Sequence, residues 1–207
     1  ERVRHERGAV PLLSALRPGH RRHIAVLSCL AFASGFVTGP LNTFVFVYAE
    51  NVLDLSAAVT AGLVVAAAPI GLGGLVAGRV LADRIGRRPT AAGGLVGICA
   101  AGFGAYTGSV PALVVGYLLG IMFGAAYATP AIALANELFP TAIRGAVAGW
   151  LVVAGVLGAT SGLLLAGTVA DSHDSFTAAM AYVCLPAALL AGLTVLVPET
   201  RDHDLEP

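Results

Sequence analysis

The chain has 207 residues, 57% of them apolar and 12% charged, with a formal net charge of +0 and a mean hydropathy of +0.84. Ordinary soluble domains carry roughly 25% charged residues, and a soluble protein of this size cannot hide so much apolar surface in one core. The composition excludes a typical cytosolic enzyme, a disordered chain and a nucleic-acid binder, and points to the lipid bilayer as the surrounding solvent.

Residues 1–23 come first. They are polar and rich in arginine, with no apolar stretch of the kind a signal peptide needs. The chain starts at Glu1 and not at Met, so this segment reads as the cytoplasmic juxtamembrane part of something longer. Six apolar segments follow, at 24–48, 57–82, 90–108, 112–135, 146–170 and 176–197. Each is roughly 19 to 26 residues, the length at which a helix spans a bilayer. Strands of a β-barrel would be shorter and would alternate polar with apolar, which these segments do not. The expected fold is all-α: a polytopic six-helix transmembrane bundle over 24–198, followed by a cytoplasmic tail over 199–207.

The connections orient the bundle. All 12 basic residues are arginine. Arg2, Arg4, Arg7, Arg17, Arg21 and Arg22 precede the first segment. Arg79, Arg84, Arg87 and Arg88 lie around the second connection, Arg144 in the fourth, and Arg201 in the tail. The other connections hold only Glu50, Asp54, Asp171 and Asp174. Every arginine thus falls on one side, which the positive-inside rule makes the cytoplasmic side of the cell membrane, with both termini there.

Within the segments, Gly71, Gly74 and Gly78 share a helix face, as do Gly116, Gly120 and Gly124, and approximately Gly155, Gly158 and Gly162. Such faces let helices approach closely in lipid. Pro40, Pro69, Pro130 and Pro186 fall inside apolar segments and each removes a backbone donor. Cys29, Cys99 and Cys184 form no CxxC pair and read as buried, inert thiols. No metal or cofactor site is expected. Tyr48 and Glu50 read as belt and loop residues near the outer surface.

The densest polar motif is Gly78-Arg-Val-Leu-Ala-Asp83-Arg84-Ile-Gly86-Arg87-Arg88-Pro89. A helix ends here, turns at Gly86, and the next begins. Asp83 is placed to accept hydrogen bonds from a helix N-terminus or a nearby arginine. This run resembles the signature loop of the major facilitator superfamily. Asn136-Glu137-Leu-Phe139-Pro140-Thr-Ala-Ile-Arg144-Gly145 is similar to the Glu-x-Phe-Pro-x-x-x-Arg segment after the tenth helix of its sugar porters. Pro198-Glu199-Thr200-Arg201-Asp-His-Asp-Leu205-Glu206 is similar to the segment after their twelfth helix. The resemblance covers the whole chain, read as the C-terminal six-helix half of a twelve-helix carrier. Arg79 stands where the signature has its first Gly, the fourth helix lacks a Pro-Trp pair, and Asp202 replaces a Gly. These departures weaken the sugar assignment and leave the superfamily intact.

The resemblance implies alternating-access transport of a small organic solute such as a sugar or organic acid, with multidrug efflux as the alternative. It also implies a cytoplasmic gate, carried over to Asp83, Arg84, Gly86, Arg87, Arg88, Glu137, Arg144 and Glu199. The implied partners are the substrate, protons as a coupling ion, the bilayer, and an N-terminal six-helix half. A mid-membrane cavity between halves is where this architecture binds substrate. Ser34, Thr38 and Asn42 recur every four residues and share a face. Asn42 reads either as cavity lining or as an interhelical hydrogen bond. Tyr127, Thr129 and Trp150 are further substrate-site candidates. An intramembrane protease would need Gly-x-Ser-Gly and a membrane-embedded His, and the chain has neither.

Overall fold

The computed structural model describes residues 20–199. The described residues form six α-helices and a terminal 3-10 turn, with no strand. The helices are α1 (Arg21–Asn51), α2 (Ala57–Ile85), α3 (Arg87–Ala105), α4 (Val110–Glu137), α5 (Thr141–His173) and α6 (Phe176–Leu190), and Ala191–Leu196 extends α6 as the 3-10 turn. Five of these elements are long and apolar enough to cross a membrane, the exception being α3. That helix has 19 residues, opens on Arg87 and Arg88, and carries five glycines. The arginines of residues 1–17 and the motif residues beyond Glu199 lie outside the described residues.

Most helices outrun their apolar segments by a few residues. Hydropathy ends where the first charge appears, whereas the helix continues to its cap. At the end of the bundle that carries Glu50, Asp54, Asp171 and Asp174, the caps are serines. Ser56, Ser109 and Ser175 accept from the backbone N–H groups of Val59, Ala112 and Ala178 at 3.4, 3.3 and 3.2 Å. Each satisfies one of the donors that a helix start leaves orphaned. The helices that start at the arginine-bearing end, α1, α3 and α5, have no such local cap.

Packing follows the small-residue faces. α1 lies along α5, and α4 lies between α2 and α3, while α6 fills against α1, α3 and α5. A side chain at Gly158 or Gly162 would run into the carbonyl groups of Phe32 and Phe36 on α1. One at Gly74 or Gly78 would run into the α4 backbone at Met122 and Ala126. Backbones this close exchange dispersion contacts that larger residues would prevent. Gly124 meets nothing and faces open space.

Two expectations need correction. Cys99 and Cys184 are buried, but Cys29 is exposed, because an apolar run in a membrane helix has faces that look away from the protein core. Tyr48 is buried and not a belt residue. Its ring packs 4.7 Å from Tyr106 and 5.4 Å from Phe176, a neighbourhood that only the meeting of α1, α3 and α6 creates.

Candidate functional site: a charged helix-end cluster and a cavity

The sharp turn between α2 and α3 is made by Gly86, with φ 106° and ψ 157°, a region essentially restricted to glycine. The turn leaves the first N–H groups of α3 without intrahelical partners. Glu199 supplies them from the far end of the sequence. Its Oε1 accepts from Arg87 N at 2.9 Å and its Oε2 from Arg88 N at 3.2 Å. A carboxylate in this position also meets the positive end of the helix dipole. A Cβ at Gly86 would fall 2.6 Å from Glu199 Oε2, so the glycine both makes the turn and leaves room for its cap. Thr90 donates its hydroxyl to the Gly86 carbonyl at 2.7 Å.

Arg87 continues the cluster sideways. Its Nη2 lies 2.7 Å from Glu137 Oε1 at the end of α4, with side chains 21% and 14% exposed. Arg144 donates from Nε to the Phe139 carbonyl at 3.0 Å and closes the α4–α5 turn. Phe139 is buried there, with the His20 ring 5.6 Å away. Thus Gly86, Arg87, Arg88, Glu137 and Glu199 come together, and Arg144 braces the adjoining turn. Asp83 is exposed and contributes to none of these bonds. The helix-capping role that the sequence suggested for Asp83 is filled by Glu199.

A cavity of about 540 Å³ lies between α1, α4 and α5. α1 forms its floor, with Leu27, Ala31, Ser34 and Thr38 on one face, and Tyr127 stands in the α4 wall. From Thr38 to Leu27 the groove runs about 16 Å toward the arginine-bearing end, at 1.5 Å per residue. Ser34, Thr38 and Tyr127 therefore share one space. The other three substrate candidates do not line it. Asn42 is exposed, donates to Thr38 O at 2.8 Å and accepts from the Tyr117 hydroxyl at 3.3 Å. Thr129 turns toward α2, reaching Leu75 O at 3.4 Å. Trp150 is 50% exposed, and its Nε1 donates to Ser28 Oγ at 3.0 Å across α1 and α5. Asn136, at the cavity mouth, was missed by sequence reasoning. The usable signal was the run of small residues Gly124, Ala128, Ala131 and Ala135 beside Tyr127, which leaves room on one α4 face.

Among the described residues the opposite end has no charged cluster of this kind. Tyr48 packs tilted against Tyr106 and edge-on against Phe176, the Tyr106 and Phe176 rings stack, and Phe44 meets Phe176 edge-on. The Tyr48 hydroxyl accepts from Gly108 N at 2.7 Å, and the Tyr106 hydroxyl donates to Leu41 O at 3.0 Å. Thr177 donates to the Tyr106 carbonyl.

The model of the Major Facilitator Superfamily matches residues 64–207, more than half of the chain. The chain belongs to this superfamily. Membership places it among transporters and not among enzymes. The xylose transporter XylE from E. coli, solved in an inward-open conformation, has the same fold, with a TM-score of 0.66 at 21% identity. The match covers 86% of this chain and 47% of that one, so the chain spans about half the length of the solved transporter. No curated protein matches the sequence.

Proposed function

We propose that the chain is the C-terminal half of a secondary transporter that moves a small organic solute across the cell membrane by alternating access. The carrying observation is the cavity between α1, α4 and α5. It is open along one side, as a half-site awaiting a facing half would be, and it runs toward a charged cluster that can hold or release helix ends. In this reading all six helices span. At 1.5 Å per residue the 19 residues of α3 reach about 28 Å, close to the hydrocarbon thickness. Both termini and every arginine then face the cytoplasm. Residues 1–23 lead into the bundle over 24–198, and 199–207 form the tail.

Glu199, Arg87, Arg88, Glu137, Gly86 and Arg144 form the cytoplasmic gate in this assignment, with Asp83 and Arg84 at its rim. Ser34, Thr38 and Tyr127 line the substrate path. Asn42 acts indirectly by anchoring Tyr117 to α1, and Thr129 and Trp150 act as interhelical ties. Among the described residues no carboxylate lines the cavity. Proton coupling would therefore draw on a carboxylate of the other half.

The superfamily motifs favour uptake of a metabolite. The second reading, export of lipophilic compounds, is favoured by the mostly apolar cavity wall. One experiment tests the half assignment: a tag after Pro207 at the chromosomal locus, read by immunoblot. A product about twice the 20.8 kDa of this chain is expected from the two-halves architecture. A product near 20.8 kDa would overturn it. Uptake and efflux by proteoliposomes holding that product then separate the two readings.

A further inference from the structure

We infer that the wall this chain contributes to the cavity receives the uncharged, largely apolar face of the solute, with the Tyr127 hydroxyl as its hydrogen-bonding anchor. This deepens the transport reading and rests on the cavity being the substrate path.

Among the 21 described residues that line the cavity, only Ser34, Thr38, Tyr127 and Asn136 have polar side chains, and none is charged. The others are alanine, glycine, leucine, isoleucine and valine. Of the four, Thr38 already gives its hydroxyl proton to the Ser34 carbonyl at 2.9 Å. Asn136 is exposed at the mouth. Tyr127 is different. It is 7% exposed, it lines the cavity, and among the described residues its hydroxyl has no hydrogen-bond partner. A buried hydroxyl left without a partner is costly and is normally satisfied by protein, water or ligand. Ser34, one floor position away from Thr38, offers a second hydroxyl at shallower burial.

The chemistry that fits follows from this inventory. A carboxylate or ammonium turned to this wall would lose water and gain neither an opposite charge nor a dipole cluster. A solute with hydroxyls all round would leave most of them unpaired against alanine and leucine. An uncharged solute with an apolar body and one hydrogen-bonding group loses little and satisfies Tyr127. This pocket is thus of the usual ligand-site kind, an apolar concavity with a few polar groups that set orientation.

The test uses the full-length transporter, expressed from its own gene in membranes. It carries Cys29→Ser, because Cys29 is exposed whereas Cys99 and Cys184 are buried. Ser34→Cys then reports the cavity floor through its rate of alkylation by N-ethylmaleimide. Thr107→Cys, outside the cavity, is the reference. The probes are 2-phenylethanol, glucose, succinate and tetraphenylphosphonium, each at the same concentration. The expected result is that 2-phenylethanol slows alkylation at position 34 about fivefold or more, leaves position 107 unchanged, and loses this protection when Tyr127→Phe is added. The other three probes give no protection.

Protection by glucose, succinate or tetraphenylphosphonium in place of the neutral alcohol would keep the cavity as the substrate path and overturn this inference. Protection by 2-phenylethanol that survives Tyr127→Phe would overturn the anchor. No protection by any probe would overturn both the inference and the cavity assignment. Should the Ser34→Cys protein fail to reach the membrane, Ala131→Cys on the α4 wall gives the same readout.

Discussion

At the arginine-bearing end of the bundle, Glu199, Arg87 and Glu137 join three chain segments through charge and helix-end hydrogen bonds, whereas at the other end Tyr48, Tyr106 and Phe176 join three helices through packed aromatic rings. The two closures respond differently to water. Ions that separate are rehydrated, so a charged link of modest depth opens at little cost, roughly 0 to 1 kcal/mol for an exposed pair and more with burial. Rings that separate expose apolar surface, at about 25 cal/mol for each Å². In the gate assignment the charged end is the part that opens and closes, and the aromatic end holds α1, α3 and α6 in register.

The sharpest way to break the comparison is at the aromatic end. Tyr106→Ala removes a fully buried ring and should cost about 3 to 5 kcal/mol, seen as a large loss of monodisperse protein in detergent. Tyr106→Phe keeps the ring, drops the bond to Leu41 O and should cost about 1 kcal/mol. Equal losses for the two variants would mean that the hydroxyl, not the ring, holds this end. Glu199→Ala breaks the charged end. It orphans the N–H groups of Arg87 and Arg88 and should lower stability by about 1 to 2 kcal/mol. In the gate assignment it lowers transport more than abundance, measured as uptake per immunoblotted protein. A variant with wild-type transport would remove Glu199 from the gate.

Gly86→Ala forces a Cβ into a conformation with φ 106° and should cost about 1 to 3 kcal/mol. Because it also displaces Glu199, its effect should shrink in a Glu199→Ala background. Full additivity would show that turn and cap are independent. The Arg87–Glu137 pair is smaller still. A double-mutant cycle with Arg87→Ala and Glu137→Ala should return a coupling of about 1 kcal/mol, since both side chains are partly screened. Asp83→Ala should be smallest in stability, within about 0.5 kcal/mol, as expected of an exposed residue. If Asp83 belongs to the gate it acts in the other conformation, and transport falls while thermal stability stays constant. Unchanged transport at normal abundance would leave it a rim charge.

What the amino-acid sequence by itself determined is whatever depends on neighbours along the chain. The helices at 21–51, 57–85, 110–137 and 141–173 follow from runs of apolar residues long enough to span a bilayer, and the described arginines fall in the helix turns at one end of the bundle. The turn at Gly86 follows from glycine's access to positive φ, and the glycine faces that α4 and α1 lie against and the shared face of Ser34 and Thr38 follow from 3.6-residue periodicity. Only the tertiary structure decided which groups from distant segments meet. Glu199 caps α3 across more than a hundred residues, Tyr127 reaches the space floored by Ser34 and Thr38, and Thr129 turns away toward α2. Tyr48 is withdrawn from the surface by rings on α3 and α6. The physical reason is that lipid tails are as apolar as the helix surfaces, so hydropathy says which segments leave water but not which faces pair. Pairing is chosen by close backbone approach and by the hydrogen bonds it makes possible, and those exist only once the helices have met.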